Sequence, residues 1–199
     1  MLDTITNHRY SQEVTYKKVA LIGPIPPPIG GVSVHIKRVQ KELQNTGNIV
    51  VIFDSSQYKT KLSRYWFLAY FMLKNRPDEV HYHTLYNSIA EWIITICFKF
   101  FLRYKLVTID HDCRYLKDKT LISRFILRYS HRWVDQQIFM GNTVKDSYLA
   151  HRIPILVNHR LESPFIAPCL QEEQAITETY PESLHKFLKN RRPLIIVNA

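Results

Sequence analysis

The side chains best able to do chemistry here are imidazoles and carboxylates placed at the ends of short apolar runs. His81 and His83 lie in D-E-V-H-Y-H-T (78–84), and Asp110, His111 and Asp112 close K-L-V-T-I-D-H-D-C (105–113). Alternate residues of a strand share a face, so a strand ending at His83 aims both rings the same way. His83, nearest the strand end, is the better candidate for a hydroxyl or phosphate contact, and His81 is expected to be a satisfied core histidine. An acid or imidazole at 110–111 can accept a hydrogen bond from an acceptor hydroxyl or orient a sugar. Capping of the following turn by Asp110 or Asp112 fits either residue equally well. His81 and His83 have no Cys, Asp or Glu at metal-site spacing, so no metal is expected. Cys97, Cys113 and Cys169 form no C-x-x-C pair, which fits a reducing compartment and argues against a disulfide framework.

A second candidate is the segment K-K-V-A-L-I-G-P-I-P-P-P-I-G-G-V-S-V-H-I (17–36). Val19 to Ile22 reads as a buried strand that stops at Gly23. A loop with four prolines and the Gly30-Gly31 pair follows, and then Val32, Ile36, Val39 and Leu43 recur at helical spacing. Adjacent glycines let a backbone approach a ligand and adopt positive φ where needed. The helix N-terminus behind them presents unpaired N–H groups and partial positive charge to an anionic or hydroxyl-rich ligand. G-x-G-x-x-G cannot be written through these glycines, and no Gly-Lys-Ser/Thr follows, so neither the dinucleotide fingerprint nor a P-loop is present. The plain alternative is a proline-stiffened loop that tightens a strand-to-helix turn.

This segment resembles the opening of the group 1 retaining glycosyltransferases of GT-B fold. Their first strand runs into a G-x-x-P-P-x-x-G-G-V-S/A-x-H loop beside the acceptor and donor phosphates. Gly23, Pro26, Pro27, Gly30, Gly31, Val32, Ser33 and His35 fall on that pattern. Residues 78–84 resemble the family's H-x-H strand, and 105–113 the next strand, which commonly reads T-x-H-D. An ungapped match puts Asp110 on the usual histidine, whereas His111-Asp112 keeps the dipeptide one residue late, so either side chain could face the cleft. M-G-N-T-V-K-D-S (140–147) resembles the family's small-residue turn, with Gly141 allowing the bend and Asn142 capping the helix.

The resemblance implies a Rossmann-like, doubly wound, mainly parallel α/β sheet that is one half of a GT-B architecture. It implies transfer of a sugar from a nucleotide-sugar donor to a glycan or lipid-linked glycan, with this chain as the acceptor-binding N-terminal part. Catalytic roles then fall to His111 and Asp110, and substrate contacts to Gly30, Gly31, Ser33, His83 and Asn142. No cofactor and no metal are implied, because helix dipoles and basic side chains hold the diphosphate. The family's E-x7-E region belongs to a second domain. A stand-alone Rossmann-like binding or regulatory module without catalysis is the rival reading.

Strand and helix signals alternate to position these residues. Strands are expected over Asn48–Asp54, Glu79–His83, Lys105–Asp110, Gln136–Met140 and Ile153–Val157. Helices are expected over Leu62–Leu73, Ser88–Leu102, Leu116–Trp133 and Thr143–His151. Repeated βα units imply parallel pairing. Residues 1–16 read as a loose extension and 17–157 as the Rossmann-like domain. Residues 158–192 read as a connecting segment and 193–199 as the first strand of a truncated second domain. A single complete domain, with that last strand on its own sheet edge, is the alternative.

The chain has 199 residues and a net charge of +10, which calls for an anionic partner. No nucleic-acid motif accompanies the charge, so nucleic acid is not expected. K-L-S-R-Y-W-F-L-A-Y-F-M-L-K (61–74) sets aromatics among cations but is too short to span a bilayer. Residues 114–132 add six basic side chains, with Arg124 and Arg128 one turn apart. Aromatics beside cations fit an interface on anionic lipid, although sheet packing and a solvated basic face also explain them. The N-terminus lacks a signal peptide, so a cytoplasmic protein, peripheral on the inner membrane face, is expected.

Overall fold

A computed structural model describes residues 16–25, 31–84, 88–111 and 120–163, together with 178, 181–183 and 185–186. Six strands, β1 (Lys18–Gly23), β2 (Ile49–Asp54), β3 (Glu79–Thr84), β4 (Lys105–Asp110), β5 (Gln136–Met140) and β6 (His159–Glu162), form one sheet in the order β2-β1-β3-β4-β5-β6. Every pairing is parallel. Helices α1 (Gly31–Asn45), α2 (Lys61–Asn75), α3 (Ile89–Leu102), α4 (Leu121–Ser130) and α5 (Asn142–Ala150) connect them. The fold is Rossmann-like α/β. Residues up to Pro164 form one compact unit and Phe165–Ala199 a second. In the second, Lys186 and Glu182 pair at 3.2 Å.

The sheet is buried on both sides, which explains why its strands read as near-continuous apolar runs. On one side Ala20, Ile22, Val80, Tyr82, Leu106 and Phe139 pack with Leu68 and Met72 of α2, Trp92 and Ile96 of α3, and Leu127 of α4. On the other, Val19 and Leu21 pack under Ile36 of α1. The Trp92 indole N–H donates to Ser130 Oγ at 2.6 Å, joining α3 to the end of α4 deep in the core. Thr60, Ser88 and Thr120 start α2, α3 and α4, each side chain accepting from the N–H three residues on.

Three expectations shift. The helix expected from Leu116 begins, among the described residues, at Leu121, and its last turn tightens to a 3-10 turn over His131–Trp133. Asn142 is the first residue of α5 rather than its cap. Gly141 takes the cap position at φ 100°, and no side chain caps this helix. The sixth strand is His159–Glu162, not 153–157. Arg152 turns the chain at φ 55°, Ile153 buries itself in the core, and the Leu156 N–H is taken by Gln137 Oε1 at 2.7 Å. The ladder with β5 forms only afterwards, so the sheet extends to Glu162.

Candidate functional site

Strand order locates the site before any side chain is considered. From β1 the chain passes to β2 on one side, then returns to β3 on the other. That reversal opens a crevice at the carboxyl ends of β1 and β3, where open α/β sheets bind ligands. Three imidazoles converge there: His35 one turn into α1, His83 near the end of β3, and His111 just past β4. His83 Nδ1 lies 3.1 Å from His111 Nε2, so one ring donates to the other. The His35 ring stands edge-on to both, with centroids 4.8 Å from His111 and 5.8 Å from His83. One ring nitrogen from each lies within 4.8 Å of the others, close enough for the three to share an ion or a ligand atom.

Burial fixes their protonation. Desolvation, followed by the neighbouring rings, pushes His83 well below the ordinary imidazole range. Desolvation, followed by His35, brings His111 to about 3. Both rings are therefore neutral at pH 7. A base with so low a pKa takes up little proton at neutral pH, so His111 suits hydrogen bonding better than full proton abstraction. His83 Nε2 is buried without a hydrogen-bond partner among the described residues. Leaving such an atom unmet costs about 1–3 kcal/mol, a penalty that a ligand atom can remove.

The remaining candidates separate clearly. Strand alternation puts Asp110 on the side of Leu106 and Thr108, fully buried, while His111 turns toward His35 and His83. The imidazole, not the carboxylate, joins the cluster. His81 shares the His83 face, is half-buried and bonds Glu79 Oε1 at 2.9 Å, but its Nδ1 has no hydrogen-bond partner among the described residues, so it is only partly the satisfied core histidine expected. Ser33 is buried within α1. Asn142 is exposed at the start of α5. Gly31 opens α1 outside the positive-φ glycines, so it does not use left-handed freedom, and a Cβ there would meet nothing within 4 Å. Gly30 and the proline run at 26–28 lie outside the described residues, as does Asp112.

Two residues that position the site lie on the resembled loop pattern, yet the sequence alone assigns neither a site role. His35 completes the trio from a helix; it ends the resembled loop pattern, but no spacing ties it to His83 and His111. The rule that could have found it is topological: loops at adjacent parallel carboxyl ends converge. Gly23 is the other. A Cβ there would come within 2.6 Å of Ile36 Cδ1 and 3.1 Å of His83 Cβ, so the bare backbone lets α1 approach β3.

No protein-family profile matches the chain, and no curated protein matches it. Among solved structures it is similar to Anabaena Alr3699/HepE. The complex of that protein with UDP and glucose gives a TM-score of 0.51 at 11% identity, covering 82% of this chain and 50% of that one. Its complex with UDP-glucose gives 0.50 at 10% identity, covering 82% and 49%. The likeness is one of fold. This chain spans about half the length of those structures.

A second feature lies on the α2–α3–α4 layer. Leu62, Trp66, Tyr70 and Leu73 of α2, Phe100 and Phe101 of α3, and Leu121, Ile122 and Phe125 of α4 are exposed. Between α3 and α4 runs a groove of about 270 Å3 lined by Ile93, Phe100, Phe125, Tyr129 and Trp133 among others. Lys61, Lys74 and Arg128 are exposed beside these side chains. Arg64 instead turns inward to Glu91 at 2.9 Å, and the Arg132 guanidinium stacks on the Tyr129 ring at 3.7 Å. Among the described residues no helix is long and apolar enough to cross a membrane.

Proposed function

We propose that this chain is the acceptor-side half of a retaining GT-B glycosyltransferase, which moves a sugar from a nucleotide-sugar donor to a glycan or lipid-linked glycan. The observation that carries the reading is the imidazole cluster at the switch-point crevice, beside the N-terminus of α1. That helix has no acid in its first turn to compete with an anionic ligand. A fold like that of a protein solved with UDP-glucose adds support. In this reading His111 and His83 hydrogen-bond the sugar or acceptor hydroxyl, and Asp110, buried on the other face of β4, takes no direct part. Gly31 and the α1 N–H groups face the phosphates, with Ser33 in the same turn and Asn142 at the neighbouring strand end. Transfer needs no resident metal.

Gly31→Val tests this without disturbing the fold, because its Cβ meets no described atom. The 199-residue chain is expected to bind uridine or guanosine diphosphate sugars saturably but weakly, in the millimolar range that corresponds to about −4 kcal/mol. The histidine ring resonances should move during the titration. Gly31→Val should abolish binding while melting within a few degrees of wild type. Saturable binding that survives Gly31→Val, or no binding by either protein, would favour the stand-alone module.

The exposed face further supports peripheral attachment to anionic lipid on the cytoplasmic side, with the α3–α4 groove facing the acyl region. Basic side chains near such a surface contribute about 1 kcal/mol each, lost as salt screens them. Vesicle sedimentation should show binding to anionic but not neutral lipid and release by high salt. Lys61→Glu with Arg128→Glu should weaken it at least about tenfold. Equal binding to neutral vesicles would exclude the electrostatic part.

A further inference from the structure

We propose that His35, His83 and His111 together bind one divalent ion of the imidazole-preferring class, with zinc the best fit, and that this ion antagonises ligand binding in the crevice. Zinc–nitrogen bonds of 2.0–2.1 Å in a tetrahedron set neighbouring nitrogens about 3.4 Å apart. The His83 Nδ1 to His111 Nε2 edge is already 3.1 Å, and all three donor atoms lie within 4.8 Å of one another. Ring rotation at His35 closes the remaining gap. Without an ion, one of the facing nitrogens of His83 and His111 must carry the proton of their hydrogen bond. An ion takes that place and accepts both lone pairs, while the donor ring moves its proton to its other nitrogen.

The donor set decides which ion. Three imidazole nitrogens with no carboxylate suit zinc, copper, nickel or cobalt and disfavour magnesium and calcium, which take oxygen ligands. Three protein ligands leave a fourth position open, the pattern of an accessible rather than a purely structural site. The ligands come from α1, β3 and the end of β4, so a bound ion links the helix to two strands. Antagonism rests on the nucleotide-sugar reading above, because the ion would fill the crevice that the sugar needs. The metal site itself does not.

The test starts from the 199-residue chain freed of metal by a chelator and dialysis. Calorimetry with Zn2+ should show one ion per chain, Co2+ should develop the visible bands of a four-coordinate centre, and Mg2+ should give no heat. Zn2+ at a hundred times its Kd should raise the Tm by about 5–10 °C. His35→Ala and His111→Ala should each weaken Zn2+ more than about 100-fold, since loss of even an outer-shell partner costs 10–100-fold. His151→Ala, outside the cluster, should leave affinity unchanged. Should a variant fail to fold, nuclear magnetic resonance of the wild-type rings decides, because Zn2+ must perturb His35, His83 and His111 before the other histidines. Absence of stoichiometric binding, or binding indifferent to these three rings, would overturn the site. Zinc binding that a nucleotide sugar does not weaken would overturn the antagonism and leave the site standing.

Discussion

Stability is expected to fall steeply as pH drops from 7 to 4, with His131 alone contributing about 3 kcal/mol to the loss. Its ring is fully buried, with centroids 5.4 Å from Trp92 and 5.5 Å from Tyr148. Desolvation lowers its pKa to about 4, opposed by its hydrogen bond to the Leu127 carbonyl. An unfolded histidine titrates near 6.5, so between the two values the unfolded chain binds a proton that the folded chain refuses. Stability is therefore complete above about 6.5 and is lost as pH falls, at about 1.4 kcal/mol per unit over about 2.5 units. His83 and His111 act with the same sign, so the wild-type slope should exceed this figure. Glu79, held near 2 chiefly by its bond to His81, adds its own loss only below the ordinary carboxylate range. Urea unfolding at several pH values, with chelator present, measures the slope. His131→Phe should flatten it by about 3 kcal/mol across the window, whatever the variant's absolute stability. Coincident slopes would mean that the ring is already solvated or charged in the folded protein.

What the sequence revealed followed from burial. Lys105–Asp110 and Gln136–Met140 appear at their expected bounds because parallel strands covered on both faces must be apolar throughout. β6 escaped notice for the opposite reason. H-R-L-E is largely exposed and carries no apolar run, while in the apolar I-P-I-L-V before it Ile153 enters the core and Ile155 and Leu156 pack against it. At the site, His83 and His111 were legible from their position at strand ends. The choice between Asp110 and His111 was not, because alternation assigns a face only once the register with β3 is known. His35 stood on the resembled loop pattern, but its convergence with His83 and His111 was not legible, because it lies on a helix far from both along the chain. Charge counting misled in a different way: Arg64 belongs to the basic run of α2, yet it faces Glu91 in the interior, and no local pattern announces that pairing.

Gly23→Val is expected to destabilise the chain by about 3 kcal/mol or more and to disperse the imidazole cluster with it. Gly23 ends β1, and its missing side chain is the space into which α1 settles. A Cβ would lie 2.6 Å from Ile36 Cδ1 and 3.1 Å from His83 Cβ. Ile36 is fully buried against Val19 and Leu21, so its tip has little room to retreat, and the His83 Cβ is anchored to a central strand. Overpacking of this kind costs about 1–3 kcal/mol, and a branched side chain adds two methyl groups to the clash. Relief requires α1 to lift, which carries His35, the neighbour of Ile36, away from His83 and His111. Gly23→Ala should lose less, because it lacks the two further methyl groups, and the reduced entropy of its unfolded chain offsets about 0.4–1 kcal/mol of the clash. Denaturant midpoints order the three proteins, and the His83 and His111 ring resonances report the cluster. A Gly23→Val protein with wild-type stability would mean that α1 does not approach β3 closely, and the convergence of the three imidazoles would fail with it. Gly31→Val, only eight residues further on, should show neither effect, which separates a glycine needed for packing from one that a ligand needs.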